Sequence, residues 1–249
     1  SKLVREELER DAEAYGDDRR TKIVERAAAQ AIDETALVSS EPVTVVLSKA
    51  GWVRAAKGHE IDPRQLSYKT GDEFEAAARG RSTQQAVFVD STGRTYSLTA
   101  HGLPGARGQG EPLSGRLDPP DGATFPAVMI GEPADRWLLA CDGGQGFVAR
   151  LETLYARNRA GKAVFNLPDN ARMLPACPVP AAEGALVCAV NSEGRLLAFP
   201  VSDLPEMEKG RGNLIFGIPG KKAKARAELM TAVAVVGDGA KLAGLCGDR

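Results

Sequence analysis

The chain has 249 residues, including 27 glycines and 15 prolines, and only 5% are aromatic, which favours a turn-rich β protein with small cores of Val, Leu and Ala. The formal net charge of −1 divides unevenly: residues 1–40 carry 7 basic against 10 acidic side chains, and the remainder carries 25 against 23. No apolar run reaches the roughly 18 residues that span a bilayer, and two isolated histidines argue against a histidine-rich metal site.

The first 40 residues are predicted to be helical. Apolar residues recur at helical spacing up to Tyr15, and Gly16 supplies a stop signal. A second helix is predicted from Thr21, which is a good capping residue. The pattern changes to β after Pro42, so residues 1–40 are interpreted as the end of a preceding helical or coiled-coil region and residues 41–249 as a separate domain.

The second domain repeats one short unit, an apolar run, a Gly-containing turn and a second β-prone run, which predicts a β-hairpin. Its turn glycines Gly93, Gly144 and Gly194 are 51 and 50 residues apart, a period typical of blades or stacked modules. The copies are Val43–Ala56, Gln85–Leu98, Trp137–Leu151, Leu186–Phe199 and a weak fifth from Thr231.

A basic, Gly-containing loop follows each of the first four hairpins. In the last three loops Gly110, Gly161 and Gly212 are 51 residues apart. In the first three loops Lys57, Arg107 and Arg157 are 50 residues apart. Each loop leads to a further strand and a Gly, Pro or Asp break, which predicts about four strands per unit. The fold class is therefore all-β and propeller-like, with about five blades, the last incomplete, and the chain is interpreted as a fragment of a longer protein.

The sequence predicts neither catalytic residues nor a metal site. His59 and His101 have no Ser or Cys partner in a recognisable triad, and acidic pairs such as Asp72–Glu73 are better explained as solvated charge. The four cysteines form no CxxC pair, so reduced thiols in a cytosolic protein are favoured over disulfides or zinc. Asp90, Asp142 and Glu193 are predicted to stabilise hairpin turns.

The basic loops carry the functional prediction. Glycine lets a backbone approach a phosphate closely, and cations repeated once per blade would follow the regular charge of DNA. Contacts to phosphate alone would be sequence-tolerant. A protein-binding surface on the same loops is the open alternative. The predicted DNA-binding residues are Lys57, Arg107, Arg116, Arg157, Arg159, Lys162, Lys209 and Arg211, with Lys221, Lys222, Lys224 and Arg226 as a further basic run.

Several stretches resemble a known family. Ala14–Ile23 (AYGDDRRTKI) resembles the end of the coiled-coil region in the A subunits of bacterial type IIA topoisomerases. Glu41–Asp62 and Leu103–Leu117 (LPGARGQGEPLSGRL), together with FVDSTGRTYSL, LYARNRAGKAVFNLP and FPVSDLPEMEKGRGN, resemble the C-terminal domain of the A subunit of bacterial DNA topoisomerase IV, a relative of the gyrase A domain. The resemblance covers essentially the whole chain.

The resemblance implies a β-pinwheel, in which neighbouring blades exchange a strand. It also implies a non-catalytic domain that binds and bends double-stranded DNA on its outer edge and presents it to the ATP-dependent strand-passage core, for relaxation of supercoils and decatenation of chromosomes. The gyrase box QRRGGKG is absent as a whole, so weaker bending is expected rather than wrapping. The family's catalytic tyrosine is expected outside this chain, and neither Tyr15 nor Tyr155 inherits its role.

The same resemblance implies the partners and the location. The B subunit and the core of the A subunit are expected in a heterotetramer, and a condensin-type protein is a further possible partner. No cofactor is expected in this domain, while ATP and Mg are implied for the holoenzyme. The expected location is cytoplasmic and nucleoid-associated, with peripheral membrane association through the holoenzyme left open. Docking on the core or on a condensin-type partner is the alternative function.

Overall fold

The computed structural model describes residues 2–17, 39–181, 184–237 and 239–240. The chain forms two compact units, Ser1–Ala36 and Leu37–Arg249. In the first unit, helix α1 (Lys2–Tyr15) confirms the predicted first helix, and none of its residues is buried. The second predicted helix, from Thr21, lies outside the described residues. The predicted domain boundary at residue 40 stays a prediction.

The second unit consists of short strands that form four antiparallel sheets. Short 3-10 turns and one five-residue helix, α2 (Gly220–Lys224), lie between them. The strands are β1 (Pro42–Ser48), β2 (Trp52–Lys57), β3 (Phe74–Arg81), β4 (Gln85–Val89), β5 (Arg94–Thr99), β6 (Glu111–Pro112), β7 (Ala127–Met129), β8 (Arg136–Ala140), β9 (Gln145–Arg150), β10 (Lys162–Ala163), β11 (Cys177–Val179), β12 (Leu186–Asn191), β13 (Leu196–Pro200), β14 (Asn213–Leu214) and β15 (Met230–Val236).

The described sheets share one strand arrangement. A hairpin (β1–β2, β4–β5, β8–β9 or β12–β13) forms its middle, and a closing strand (β3, β7, β11 or β15) pairs with the hairpin's first strand. The hairpin's second strand pairs with an exchange strand (β6, β10 or β14), which comes from the chain after the next hairpin. This confirms the β-pinwheel and its exchange of strands between neighbours. Within residues 39–240 the fourth sheet has three described strands, β13–β12–β15.

The four hairpin turns share one hydrogen-bond pattern. The turn glycines Gly51, Gly93, Gly144 and Gly194 all have positive φ, between +77° and +86°. The N–H of each donates to the carbonyl three residues earlier, at 2.9–3.1 Å. The first two glycines are only 42 residues apart, so the period of about 50 begins at the second hairpin.

Asp90 confirms its predicted turn-stabilising role. Its fully buried carboxylate accepts the N–H groups of Thr92 (2.8 Å) and Arg94 (3.0 Å), and also the hydroxyl of Tyr96 (2.8 Å). Burial, followed by the bond to Asp90, raises the pKa of Tyr96 well above its usual value. The turn is therefore fixed by a charge that is fully hydrogen-bonded.

The prediction for Asp142 is wrong in detail. Cys141 occupies the position equivalent to Asp90, and Asp142 lies one residue later. Its carboxylate accepts the N–H of Arg172 (2.8 Å) and the guanidinium of Arg226 (2.9 Å), so it links the third hairpin to two distant segments instead of closing its own turn.

The apolar run from Thr231 also differs from its prediction as the first half of a fifth hairpin. It forms β15, which pairs with β12 from Leu186 to Asn191 and closes the fourth sheet. A closing strand and the first strand of the next hairpin are both apolar and are joined by a turn, so the sequence pattern of this pair imitates that of a hairpin. The predicted second half, residues 241–245, lies outside the described residues.

The core consists of three clusters, each shared by neighbouring sheets. Val45, Leu47 and Phe88, for example, join the first two sheets and are fully buried. Most members are Val, Leu, Ile and Ala, as the low aromatic content predicts. Burial between sheets, rather than within any one of them, stabilises the unit, because a single short sheet has no core of its own.

Candidate nucleic-acid interface

Three segments, called here the outer loops (residues 103–110, 155–161 and 205–212), lead into the exchange strands. They run beside the second strand of the hairpin one module earlier, which is β2 for the first loop, β5 for the second and β9 for the third. In the first loop Ala106 N–H donates to Ala55 O, and Ala55 N–H donates to Pro104 O. In the third loop Met207 and Val148 form the matching bond at 2.8 Å. Since each exchange strand is an end strand of its sheet, the outer loops lie on that edge of the sheet, opposite the closing strand.

The loop glycines have a structural role that was not predicted from the sequence. Gly110, Gly161 and Gly212 have φ of +91°, +70° and +74°, which L side chains rarely adopt. A Cβ at these positions would also collide with a carbonyl oxygen of the preceding sheet, that of Val53, Thr95 and Gly146 respectively. These glycines therefore let the chain cross closely onto its neighbour, which is what the exchange of strands requires.

Two arginines of the hairpins hold the first two outer loops. Arg54 is only 3% exposed; its Nη1 donates to Gly108 O (3.0 Å) and Ser67 O (2.9 Å), and its guanidinium lies over the Tyr68 ring at 4.6 Å. Arg94 donates from Nε and Nη2 to Ala160 O, at 3.0 and 2.8 Å. Neither role was predicted from the sequence. The sequence does contain a signal for a structural role of Arg54, because it is a charged residue inside an apolar run.

Four predicted cations, called here the free cations, are exposed and have no side-chain hydrogen bond or ion pair within the described part of the chain. They are Arg107 in the first outer loop, Arg157 in the second, and Lys209 and Arg211 in the third. Each outer loop therefore presents at least one guanidinium or ammonium group with its donors directed to solvent or a ligand. Such groups can bind phosphate without first breaking an internal contact.

Four other predicted cations already have partners. Lys57 pairs with Glu41 (3.0 Å) and thereby lowers the pKa of that carboxyl. The remaining three bind carboxylates or carbonyls nearby, in the pairs Arg116–Glu111 (2.9 Å), Arg159–Asp118 (3.6 Å) and Lys162–Thr153 O (2.7 Å). Exposed ion pairs are weak, about 0–1 kcal/mol, so a phosphate competes with them at little cost.

The predicted equivalence of Lys57 with Arg107 and Arg157 is wrong. Lys57 ends β2, where its counterpart in the third hairpin is Arg150, which ends β9. The spacing of 50 residues is a coincidence, because the first two hairpins are closer together than the others.

The basic run around α2 is largely engaged in structural contacts. Lys222 pairs with Glu193 (3.2 Å) and Glu228 (2.9 Å), and Lys224 pairs with Asp169 (3.0 Å). Arg226 pairs with Asp142. Lys221 is exposed and has no such partner among the residues described. The run therefore fastens α2 to the third and fourth hairpins, and only Lys221 resembles the free cations.

Glu228 is the buried centre of this network. It is 1% exposed and accepts hydrogen bonds from Lys222, Arg195 (2.7 Å) and Asn191 (2.9 Å). The bond from Lys222 is the main reason that the pKa of Glu228 lies below its ordinary value. A buried carboxylate with three donors requires its partners to remain in place.

No three His, Cys, Asp or Glu side chains of residues 2–17, 39–181 and 184–237 lie together in an arrangement that would hold a metal ion. Neither described helix is long and apolar enough to cross a membrane.

Cys141, Cys177 and Cys188 are free thiols, and burial raises the pKa of Cys177 to about 11.

Sheets that exchange strands, with cations on the loops that lead into the exchange strands, define a β-pinwheel domain. No protein-family model matches the chain. It is 48% identical to the C-terminal domain of Escherichia coli ParC, with a TM-score of 0.72, covering 79% of this chain and 80% of that one. The chain belongs to the family of C-terminal domains from the A subunit of DNA topoisomerase IV.

Full-length relatives agree. The chain is 57% identical to the A subunit of DNA topoisomerase 4 from Pseudomonas aeruginosa over 248 residues, or 100% of the chain and 33% of the relative. It is 51% identical to the Escherichia coli protein of the same name, over 91% of the chain and 30% of the relative. The chain thus spans about a third of these relatives. The C-terminal domain of DNA gyrase A shares the fold, with a TM-score of 0.58 at 11% identity.

Proposed function

We propose that the pinwheel binds double-stranded DNA along its outer loops and presents the bound segment to the strand-passage core of topoisomerase IV. The observation that carries the proposal is that every outer loop has an exposed cation without an internal partner in the described chain, namely Arg107, Arg157, and Lys209 with Arg211. The relatives' name, DNA topoisomerase, supports DNA as the polyanion.

The contacts would be to phosphate and not to bases. The free cations extend from loops, and none of them lies in a described helix or strand that could enter a groove. Binding would then be tolerant of sequence and strongly dependent on salt. Because successive loops lie on successive sheets, a duplex that touches all three would follow their arrangement, and we propose that it bends.

The role in the whole enzyme follows from the family. Relaxation of supercoils and decatenation would use ATP and Mg bound by other parts of the heterotetramer that includes the B subunit. The catalytic tyrosine would lie outside this chain, and the location would be cytoplasmic and nucleoid-associated. In this arrangement the pinwheel selects the geometry of the DNA and performs no bond chemistry itself.

The direct test is charge reversal at the free cations. Arg107→Glu, Arg157→Glu and Arg211→Glu should each weaken binding of a fluorescent 40-base-pair duplex about tenfold or more in anisotropy titrations, since each replaces a phosphate contact by repulsion. Arg10→Glu is the matched control, because Arg10 is exposed on α1, in the other unit, and has no partner among the described residues. Unchanged affinity in all three loop variants would place the DNA elsewhere.

One observation favours a second function, docking of a protein. The fourth sheet exposes Leu186 (40%) and Leu196 (59%), whose side chains lie on the same face of β12 and β13 and make it apolar. The topoisomerase core or a condensin-type partner would bind there. Such binding should persist at salt concentrations that release DNA, because apolar contacts are not screened, and Leu196→Asp should weaken it without affecting DNA.

A further inference from the structure

A cavity of about 760 Å³ lies among the closing strands β3, β7 and β11. This volume is within the range of about 300–1,000 Å³ that is usual for ligand sites. None of the free cations lines it, and closing strands and exchange strands lie at opposite ends of their sheets. The cavity is therefore separate from the outer loops and needs its own explanation.

The wall of the cavity is mostly apolar. Pro126, Pro175 and Pro178 line it, and proline has no backbone N–H to offer. Trp137 also lines the cavity; it is 8% exposed, and its Nε1–H is buried without an acceptor among the residues described. A buried donor without a partner is left with an uncompensated loss of hydration. The ring of Trp137 lines the cavity, whereas its Nε1–H is shielded from it.

Strand β3 forms one side of the cavity, through residues 75–79. It is the end strand of the first sheet, so one of its two edges has no strand neighbour within the described chain. With eight residues it is also the longest of the described strands. Open edges of this kind accept an extended peptide, whose backbone pairs with them while its side chains occupy adjacent pockets.

Two opposite charges mark the ends of this edge. Glu75 and Arg79 are four residues apart in β3, about 13 Å along an extended strand, and the pairing of β3 with β1 is irregular at Glu75. Both line the cavity, and neither has an ion pair in the part of the chain that is described. The small side chain of Ala77 lies between them and leaves room for a ligand.

We propose that this cavity binds an extended peptide segment of another protein, about five residues long, which pairs antiparallel with β3. The segment has an acidic residue opposite Arg79, apolar residues over Ala77, and a basic residue opposite Glu75. The antiparallel direction follows the pairing of all named strands in the described sheets.

The first experiment compares two labelled, terminally blocked pentapeptides, Glu-Val-Thr-Val-Lys and its charge-reversed form Lys-Val-Thr-Val-Glu, by fluorescence anisotropy. The first should bind at least about fivefold more tightly, and the double variant Glu75→Lys, Arg79→Glu should reverse this preference. Equal affinity of the two peptides, or binding of neither, overturns the proposal. Glu75 is half-buried and Arg79 is exposed, so the double variant should retain the fold.

A second readout locates the peptide. In the Trp52→Phe background Trp137 is the only tryptophan, and its emission should shift on addition of the first peptide. An unchanged emission with bound peptide contradicts the site. The charge-swapped variant should bind DNA as the wild type does, so a failure of DNA binding and a failure of this proposal are distinguishable.

Discussion

The guanidinium of Arg94 donates two hydrogen bonds to the carbonyl of Ala160, 66 residues later in the chain. Arg94 begins the second strand of one hairpin, and Ala160 lies in the outer loop that comes from the next. The same relation joins Arg54 to Gly108 in the preceding sheet. An arginine of one sheet thus positions the loop that carries a free cation of the following module.

Arg94→Ala should weaken DNA binding although Arg94 contacts no DNA in the proposed arrangement. Loss of the bonds to Ala160 releases the second outer loop, and ordering that loop on DNA then costs about 1 kcal/mol, a roughly fivefold loss of affinity. Arg94→Lys restores one donor and should recover part of the loss. The measurement is duplex binding by anisotropy, with the melting temperature as a check on folding. An affinity equal to that of the wild type would show that the loop needs no such support.

The salt dependence of binding should count the phosphate contacts. With four free cations on phosphate, the slope of log K against log salt concentration is expected at about −3 to −4, from roughly 0.9 counterions released per contact. Each charge-neutralising variant, such as Arg157→Gln, should reduce that slope by about one. Lys222→Gln is the informative comparison, because Lys222 is held by Glu193 and Glu228 and should leave the slope unchanged. A flat salt response would contradict phosphate binding.

The repeat pattern of the sequence was sufficient to predict the first four hairpins and their turns, but it also predicted a fifth from a closing strand. Alternation of apolar residues around a Gly turn is a local signal, and the turns at Gly93, Gly144 and Gly194 all follow it. Because these turns recur about every 50 residues, their spacing also predicted the repeated modules. The exchange of strands came only from the family resemblance, because the two-residue strands β6, β10 and β14 are too short to have a periodicity.

The candidate site was less predictable, because ion pairing depends on tertiary distance. Lys209 and Lys222 have the same charge in a similar basic stretch, yet Lys222 binds a carboxylate buried under the fourth hairpin and Lys209 has no described partner. The two carboxylates that bind Lys222, Glu193 and Glu228, both lie more than five residues from it in the sequence. The coincidental spacing of Lys57 from Arg107 shows the same limit, since a period identifies equivalent residues only when the modules have equal length.

Gly93 and Gly194 form a matched pair that tests the exchange of strands. Both are turn glycines with φ near +80°, but a Cβ on Gly93 would meet Phe165 O at 2.6 Å, whereas nothing lies within 4 Å at Gly194. Gly194→Ala should lower the free energy of unfolding by about 1–2 kcal/mol, because alanine is strained in the left-handed conformation. Gly93→Ala should cost about 2 kcal/mol more, because the chain that follows exchange strand β10 must move away.

Thermal denaturation followed by circular dichroism measures this difference. For a unit of this size, about 2–4 °C in melting temperature corresponds to 1 kcal/mol, so Gly93→Ala should melt roughly 4–8 °C below Gly194→Ala. Similar losses in the two variants would mean that the segment after β10 does not cover the second turn in solution.

Glu228 should make the stability of the fourth sheet depend on pH in the acid range. Its folded-state pKa lies below the ordinary value of 4.5, mainly because Lys222 donates to it. The stabilisation is therefore fully present above that value and is lost as the pH falls through the lower, folded-state pKa. Glu228→Gln removes the charge at every pH. The variant should melt below the wild type at pH 7, and the gap should close between about pH 4.5 and the onset of acid unfolding.

The control for this pH profile is Asp169→Asn, because Asp169 is exposed and pairs only with Lys224 at the surface. Surface pairs contribute little to folding, so this variant should follow the wild-type melting curve across the acid range. A gap between wild type and Glu228→Gln that stays constant from about pH 7 to about pH 3.5 would show that the charge of Glu228 contributes nothing to folding.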